Sequence, residues 1–249
     1  MVIVVLGLLA VLVGAMSQRL TGMGFALIVA PFMVLLFGPI SGVMLVNLCG
    51  AVSAAIVCVQ TYRHAEWRTA WRLMAFAAVG VVAGAWLGAV LDDGLMQIVI
   101  GILIIIAMSA SLFTPWLRRE IHRTLPVTGA TGLTAGFMNA AAGVGGPAIS
   151  VYAVLTRWEQ KRFAATMQPV LIMMGISSLA FKLLFEADAW PQLPGPMWLG
   201  IALCIGAGQL IGERLARIVP VRVARILMIT LAYAGGVAAL IGGIVHVSG

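Results

Sequence analysis

Charge is what this chain has least of. Of its 249 residues, 9% are Asp, Glu, Lys or Arg, only 8 of them acidic, against a hydrophobic share of 62%. A soluble domain carries about 25% charged residues and still exposes much of its surface to water once folded. The composition therefore excludes a soluble enzyme, a disordered chain and a nucleic-acid-binding domain. None of the acids falls in the interior of a span, so the sequence supplies neither a relay of buried carboxylates nor an acidic cation site. The 3 cysteines, Cys49, Cys58 and Cys204, stand singly in apolar runs without C-x-x-C or Cys/His spacing, and read as small packing residues. His64 and His122 lie in loops and His246 near the C-terminus, and no P-loop or nucleophile motif is present. No catalytic residue, metal or cofactor is expected, and the chain does not read as an enzyme. Nor does a basic stretch precede the apolar segment 1–16, as it would in a secretory signal; that segment reads as part of the mature protein.

Apolar sequence in bilayer-sized lengths is what the chain has instead, with a mean hydropathy of +1.11. A spanning helix needs about 20 predominantly apolar residues, and six stretches qualify: 41–62, 71–91, 95–117, 163–185, 197–215 and 223–246. Two further apolar regions are interrupted. Region 2–37 is broken at 17–24 (SQRLTGMG), and region 126–156 at 139–147 (NAAAGVGGP). Each divides into pieces of about 11–17 residues, short of a full span and in the range of re-entrant or interrupted segments.

The two breaks also mark an internal repeat. Setting 21–24 (TGMG) on 142–145 (AGVG) places Gln18 on Asn139 and Asn47 on Gln168, 121 positions apart. At a slightly different offset Gly84 and Gly88 fall on Gly208 and Gly212. The reading is a single all-α membrane domain of two halves, each a broken hairpin followed by three spans. The first half is 1–117, with its hairpin at 2–37. The second is 126–246, with its hairpin at 126–156.

Thirteen of the 15 bases collect in four loops: Arg63/Arg68/Arg72, Arg118/Arg119/Arg123, Arg157/Lys161/Arg162 and Arg214/Arg217/Arg222/Arg225. The other connections carry Asp92, Asp93, Glu186 and Asp188. The positive-inside rule puts the basic loops in the cytoplasm. The spans then alternate correctly only if each broken hairpin enters and leaves on one side, which turns the second half upside down and places both termini in the periplasm. Inverted halves are the plan of many secondary transporters.

Irregular backbone at membrane depth is tolerated only where protein buries it or a cavity lines it, so the breaks point to a central site. Gly22, Gly24, Gly143, Gly145 and Gly146 let the chain bend and approach a ligand. Pro147 suits the first turn of a following helix, whose free N–H groups and positive dipole end attract an anion. Thr21 stands in the first break. Gln18, Asn47, Asn139 and Gln168 offer amide donors to an oxyanion; interhelical bonding is their alternative use. Arg19, at the first break with no acid nearby in sequence, is expected to meet the substrate's negative charge. Lys182, close to Glu186, is expected to snorkel to the outer interface. The Gly84/Gly88 and Gly208/Gly212 pairs suit close helix crossings.

The runs LTGMGFALIVAPF at 20–32 and GFMNAAAGVGGPAISVY at 136–152, with the G-x-x-x-G spans, resemble the TauE/SafE family of bacterial membrane transporters. The likeness covers nearly the whole chain as two homologous halves. It implies export of sulfite or a small organosulfonate, where the residues alone reach only a small anion. The expected function is thus a secondary transporter in the bacterial inner membrane, with the lipid bilayer and a small anion as partners. Homo-oligomerisation is compatible with the sequence. A passive anion channel using the same breaks as a filter is the alternative.

Overall fold

The computed structural model describes residues 2–114, 120–186 and 190–248. Ten α-helices and one 3-10 turn make up the described chain, with no strand among these residues. They are α1 (Val2–Thr21), α2 (Gly24–Phe37), α3 (Pro39–Thr61), α4 (Trp67–Val90), α5 (Asp93–Phe113), α6 (Leu125–Ala142), α7 (Gly146–Leu155), α8 (Gln160–Phe185), α9 (Gly195–Leu215) and α10 (Val221–Ser248). Arg118, Arg119, Asp188 and the last residues of the expected span 95–117 lie outside the described residues.

Seven helices are long and apolar enough to cross a membrane: α1, α3, α4, α5, α8, α9 and α10. This corrects the expectation for α1, which runs 20 residues rather than ending short. The polar run Ser17-Gln18-Arg19 does not break the helix: the backbone ladder continues to Gly22 N–H, which donates to Gln18 O at 2.7 Å, while Gln168 and Glu213 meet the Gln18 and Arg19 side chains. The break is confined to Gly22 and Met23. The second is equally narrow: α6 continues through Asn139 to Ala142, and Gly143, Val144 and Gly145 separate it from α7. Gly22 and Gly143 have φ of +87° and +75°, the left-handed region that glycine enters without penalty. Gly145 is right-handed at φ −71°, so the expected freedom of φ is not used there. Pro147 occupies the first turn of α7 as expected.

Helices in lipid associate through close packing and interhelical hydrogen bonds, not through a hydrophobic force between them. The pairings follow the small residues. A Cβ on Gly80 of α4 would fall on the Leu133 carbonyl oxygen, and one on Gly136 of α6 on the Ala77 carbonyl oxygen. On α9, a Cβ at Gly208 would lie 2.6 Å from Leu12 O, and one at Gly212 2.9 Å from Met16 O. The crossing pair on α4 is therefore Gly80 and Gly84, one turn earlier than the sequence alignment placed it. Gly88 instead faces the end of the Lys182 side chain.

Helix α4 packs on α6 and α1 on α9; α3 packs on α8 and α5 on α10; α10 covers α2 and α5 touches α7. Exchanging α1–α5 for α6–α10 in order maps each of these pairings onto another or onto itself. Two pairings do not follow: α4 also lies along α8, whereas its counterpart α9 only grazes α3. Helix α2 lies along α3, with Gly42 set against the Met33 and Val34 backbone, while α7 barely touches α8.

Candidate functional site

The hairpin tips meet inside the bundle: a Cβ on Gly146 would lie 3.4 Å from both Cβ and Sδ of Met23. Beside them is a cavity of about 20 Å³, lined by Gln18, Met23, Asn47, Asn139, Gly143 and, from the first turn of α2, Phe25 and Ala26. That volume admits about one water-sized molecule. Met23 also lines a second cavity of about 160 Å³, whose rim includes the exposed Arg157 and Gln160 on the basic-loop side. Thr21 and Ser150 line this outer chamber too. Met23 is thus the side chain common to the small cavity and the larger one.

The four amides that the sequence aligns in pairs are buried and bonded crosswise. Gln18 Nε2 donates to Gln168 Oε1 at 3.2 Å, and Asn139 Nδ2 donates to Asn47 Oδ1 at 2.6 Å. Gln168 Nε2 in turn donates to Gly22 O (2.9 Å) and Ala164 O (2.7 Å). Asn47 Nδ2 donates to Asn139 O (3.3 Å) and Ser178 Oγ (3.1 Å). Each pair joins one half to the other, and exchanging the halves turns one pair into the other. Gln168 lies behind the lining and orients Gln18 from there.

The glycines divide by role. Gly143 lines the small cavity, and Gly22 makes the first turn against Ala164. Gly24 is held between Ser17 and Thr21. Gly145 is a packing glycine: its Cβ would lie 2.6 Å from Ala135 O. Gly146 brings α7 up to Met23.

Arg19 is not among the cavity residues. Its side chain, 18% exposed, pairs with Glu213 at 3.5 Å, and both line a separate cavity with Gln60 and Gln209. The acid that sequence reading did not find near Arg19 comes from the last turn of α9. Lys182 does not snorkel: it is 3% exposed, and Nζ has no hydrogen-bond partner among the described residues.

Sequence reading missed Glu66. Its carboxylate accepts from Arg123 Nη1 and Trp158 Nε1, each at 3.0 Å, with Arg162 Nη1 at 3.9 Å. Arg123 also stacks over the Trp158 ring, 4.6 Å from its centroid. One carboxylate thereby ties the start of α4 to the segments before α6 and after α7, beside the larger cavity. The chain gave no signal for it, since the basic loops at 118–123 and 157–162 carry an acid too, Glu120 and Glu159. No metal-sized cluster of His, Cys, Asp or Glu occurs among the described residues.

A protein-family model described as "Sulfite exporter TauE/SafE" matches residues 6–239. No curated protein and no solved structure gives a match.

Proposed function

The chain belongs to the TauE/SafE sulfite exporter family, and we propose that it carries sulfite or a small organosulfonate out across the bacterial inner membrane by alternating access around the cavity at the hairpin tips. The halves act as inverted repeats, with the basic loops in the cytoplasm and both termini in the periplasm. Gln18, Asn47, Asn139, Gly143 and the start of α2 surround the substrate. Arg19 holds Glu213 instead of the ligand.

The observation that carries this reading is the inequality of α2–α3 and α7–α8. Exchanging the halves preserves the α1–α9 and α4–α6, α3–α8 and α5–α10 pairings and both amide pairs, yet α4 lies along α8 while α9 only grazes α3, and α2 is closed on α3 while α7 stands apart from α8. The gap is the larger cavity, on the basic-loop side. Closing α7 on α8 while releasing α2 from α3 would turn the same amides toward the opposite side. In this conformation the small cavity is too tight for a sulfonate, so entry requires Met23 to swing aside.

Reconstitution into liposomes tests the mechanism. Alternating access gives saturable uptake of labelled sulfite, accelerated by unlabelled sulfite on the opposite side. A large single-channel conductance without acceleration would replace this mechanism with a passive pore.

A further inference from the structure

Resting on that reading, the small cavity also discriminates among forms of the sulfur oxyanion. Among the described residues no charged side chain lines it: the polar lining is Gln18, Asn47 and Asn139. A dianion would shed its hydration there with no cation to meet it, which is costly at membrane depth.

The hydrogen-bond chain fixes how the amides face. The carbonyls of Gly22 and Ala164 only accept, so Gln168 must turn Nε2 toward them. Its Oε1 then faces Gln18, which must answer with Nε2. Gln18 Oε1 is left over: the residue is 1% exposed, and this oxygen has no donor among the described residues. The second pair repeats the logic, since Asn139 spends Nδ2 on Asn47 and its Oδ1 falls outside the pair. Donors come from the start of α2, where Met23 supplies no side-chain cap and first-turn N–H groups have no partner within the helix. Helix N–H groups and an unmet amide carbonyl suit a ligand that both accepts and donates.

We infer that the cavity selects singly charged or zwitterionic sulfur oxyanions that carry their own O–H or N–H donor, and that Gln18 Oε1 reads that donor. The test measures binding of 2-hydroxyethanesulfonate, ethanesulfonate, sulfite and sulfate to the purified full chain. The two sulfonates differ by one hydroxyl. The hydroxylated one binds about tenfold tighter or more, because ethanesulfonate leaves a buried acceptor unmet, and sulfate does not bind. In Gln18→Met, of similar length but without the acceptor, the preference falls to about one. Should that variant fail to fold, the wild-type ratio decides alone. Equal binding of the two sulfonates, or binding of sulfate, overturns the inference and leaves the transport reading standing. A preference that persists in Gln18→Met overturns the assignment to Gln18. Failure of all four probes to bind overturns the transport reading, and this inference with it.

Discussion

Gln168 donates its side-chain amide to the carbonyl of Gly22, 2.9 Å away across 146 positions of sequence, and so holds the left-handed residue at which α1 gives way to α2. A chain entering the site at an unfavourable φ for most residues is thereby braced from the opposite half.

Removing that brace has two costs. Gln168→Met strips Gly22 O of this donor and Gln18 Nε2 of its acceptor, and each buried group left unmet costs about 1–3 kcal/mol. The Tm in detergent should fall by several degrees, with weaker sulfite binding. Gln168→Glu should be at least as damaging, because its carboxylate only accepts and would face the Gly22 and Ala164 carbonyl oxygens at a buried site. A wild-type Tm in Gln168→Met would mean that the bond contributes nothing.

The glycines should separate by their surroundings. Alanine at Gly80 or Gly136 drives a methyl onto the backbone of the facing helix, while at Gly206 it meets nothing within 4 Å. Gly206→Ala should leave Tm unchanged or slightly higher, gaining up to about 1 kcal/mol of helix propensity. Gly80→Ala and Gly136→Ala should lower it, by the 1–3 kcal/mol typical of overpacking, about as much again if α4 and α6 must move apart. Equal thermal shifts in all three would refute the crossing.

Arg19→Ala should leave sulfite affinity within about twofold of wild type, since Glu213 and not the cavity receives the guanidinium. Its effect on Tm should be reproduced by Glu213→Gln and not doubled in the pair. Abolished binding in a folded Arg19→Ala protein would return this residue to the substrate.

Lys182→Met should raise Tm. The lysine buries an amino group with no partner among the described residues, and exchanging such a group for an apolar side chain of similar size usually stabilises. A lower Tm, or lost transport at an unchanged one, would assign Lys182 a task.

Much of this architecture was legible because lipid imposes simple rules. Hydropathy located α3, α4, α5, α8, α9 and α10, and the glycine clusters located both breaks. Helix ends were less legible: Gln18 and Arg19 looked like the start of a loop, yet the helix carries them because Gln168 and Glu213 meet them. The four amides stood out as polar residues in apolar sequence, but only the fold tells that they bond to one another in two crosswise pairs. The acid that meets Arg19 was hidden for a related reason, since Glu213 lies nearly 200 positions away. Lys182 was misplaced because proximity to Glu186 in sequence says nothing about which face α4 covers. Gly88 does, by admitting the side chain.

The crosswise bonding has a consequence for biosynthesis. Gln18, Asn47 and Ser53 find their partners in Gln168, Asn139 and Gln209, all in the second half. As the ribosome delivers the chain, the first half enters the bilayer with these groups unmet and with the glycine face of α4 uncovered until α6 emerges. Its early helices must wait near the insertion machinery, or in contact with a chaperone, until α9 is made. The halves produced as two separate chains should therefore each be degraded when made alone and survive when made together.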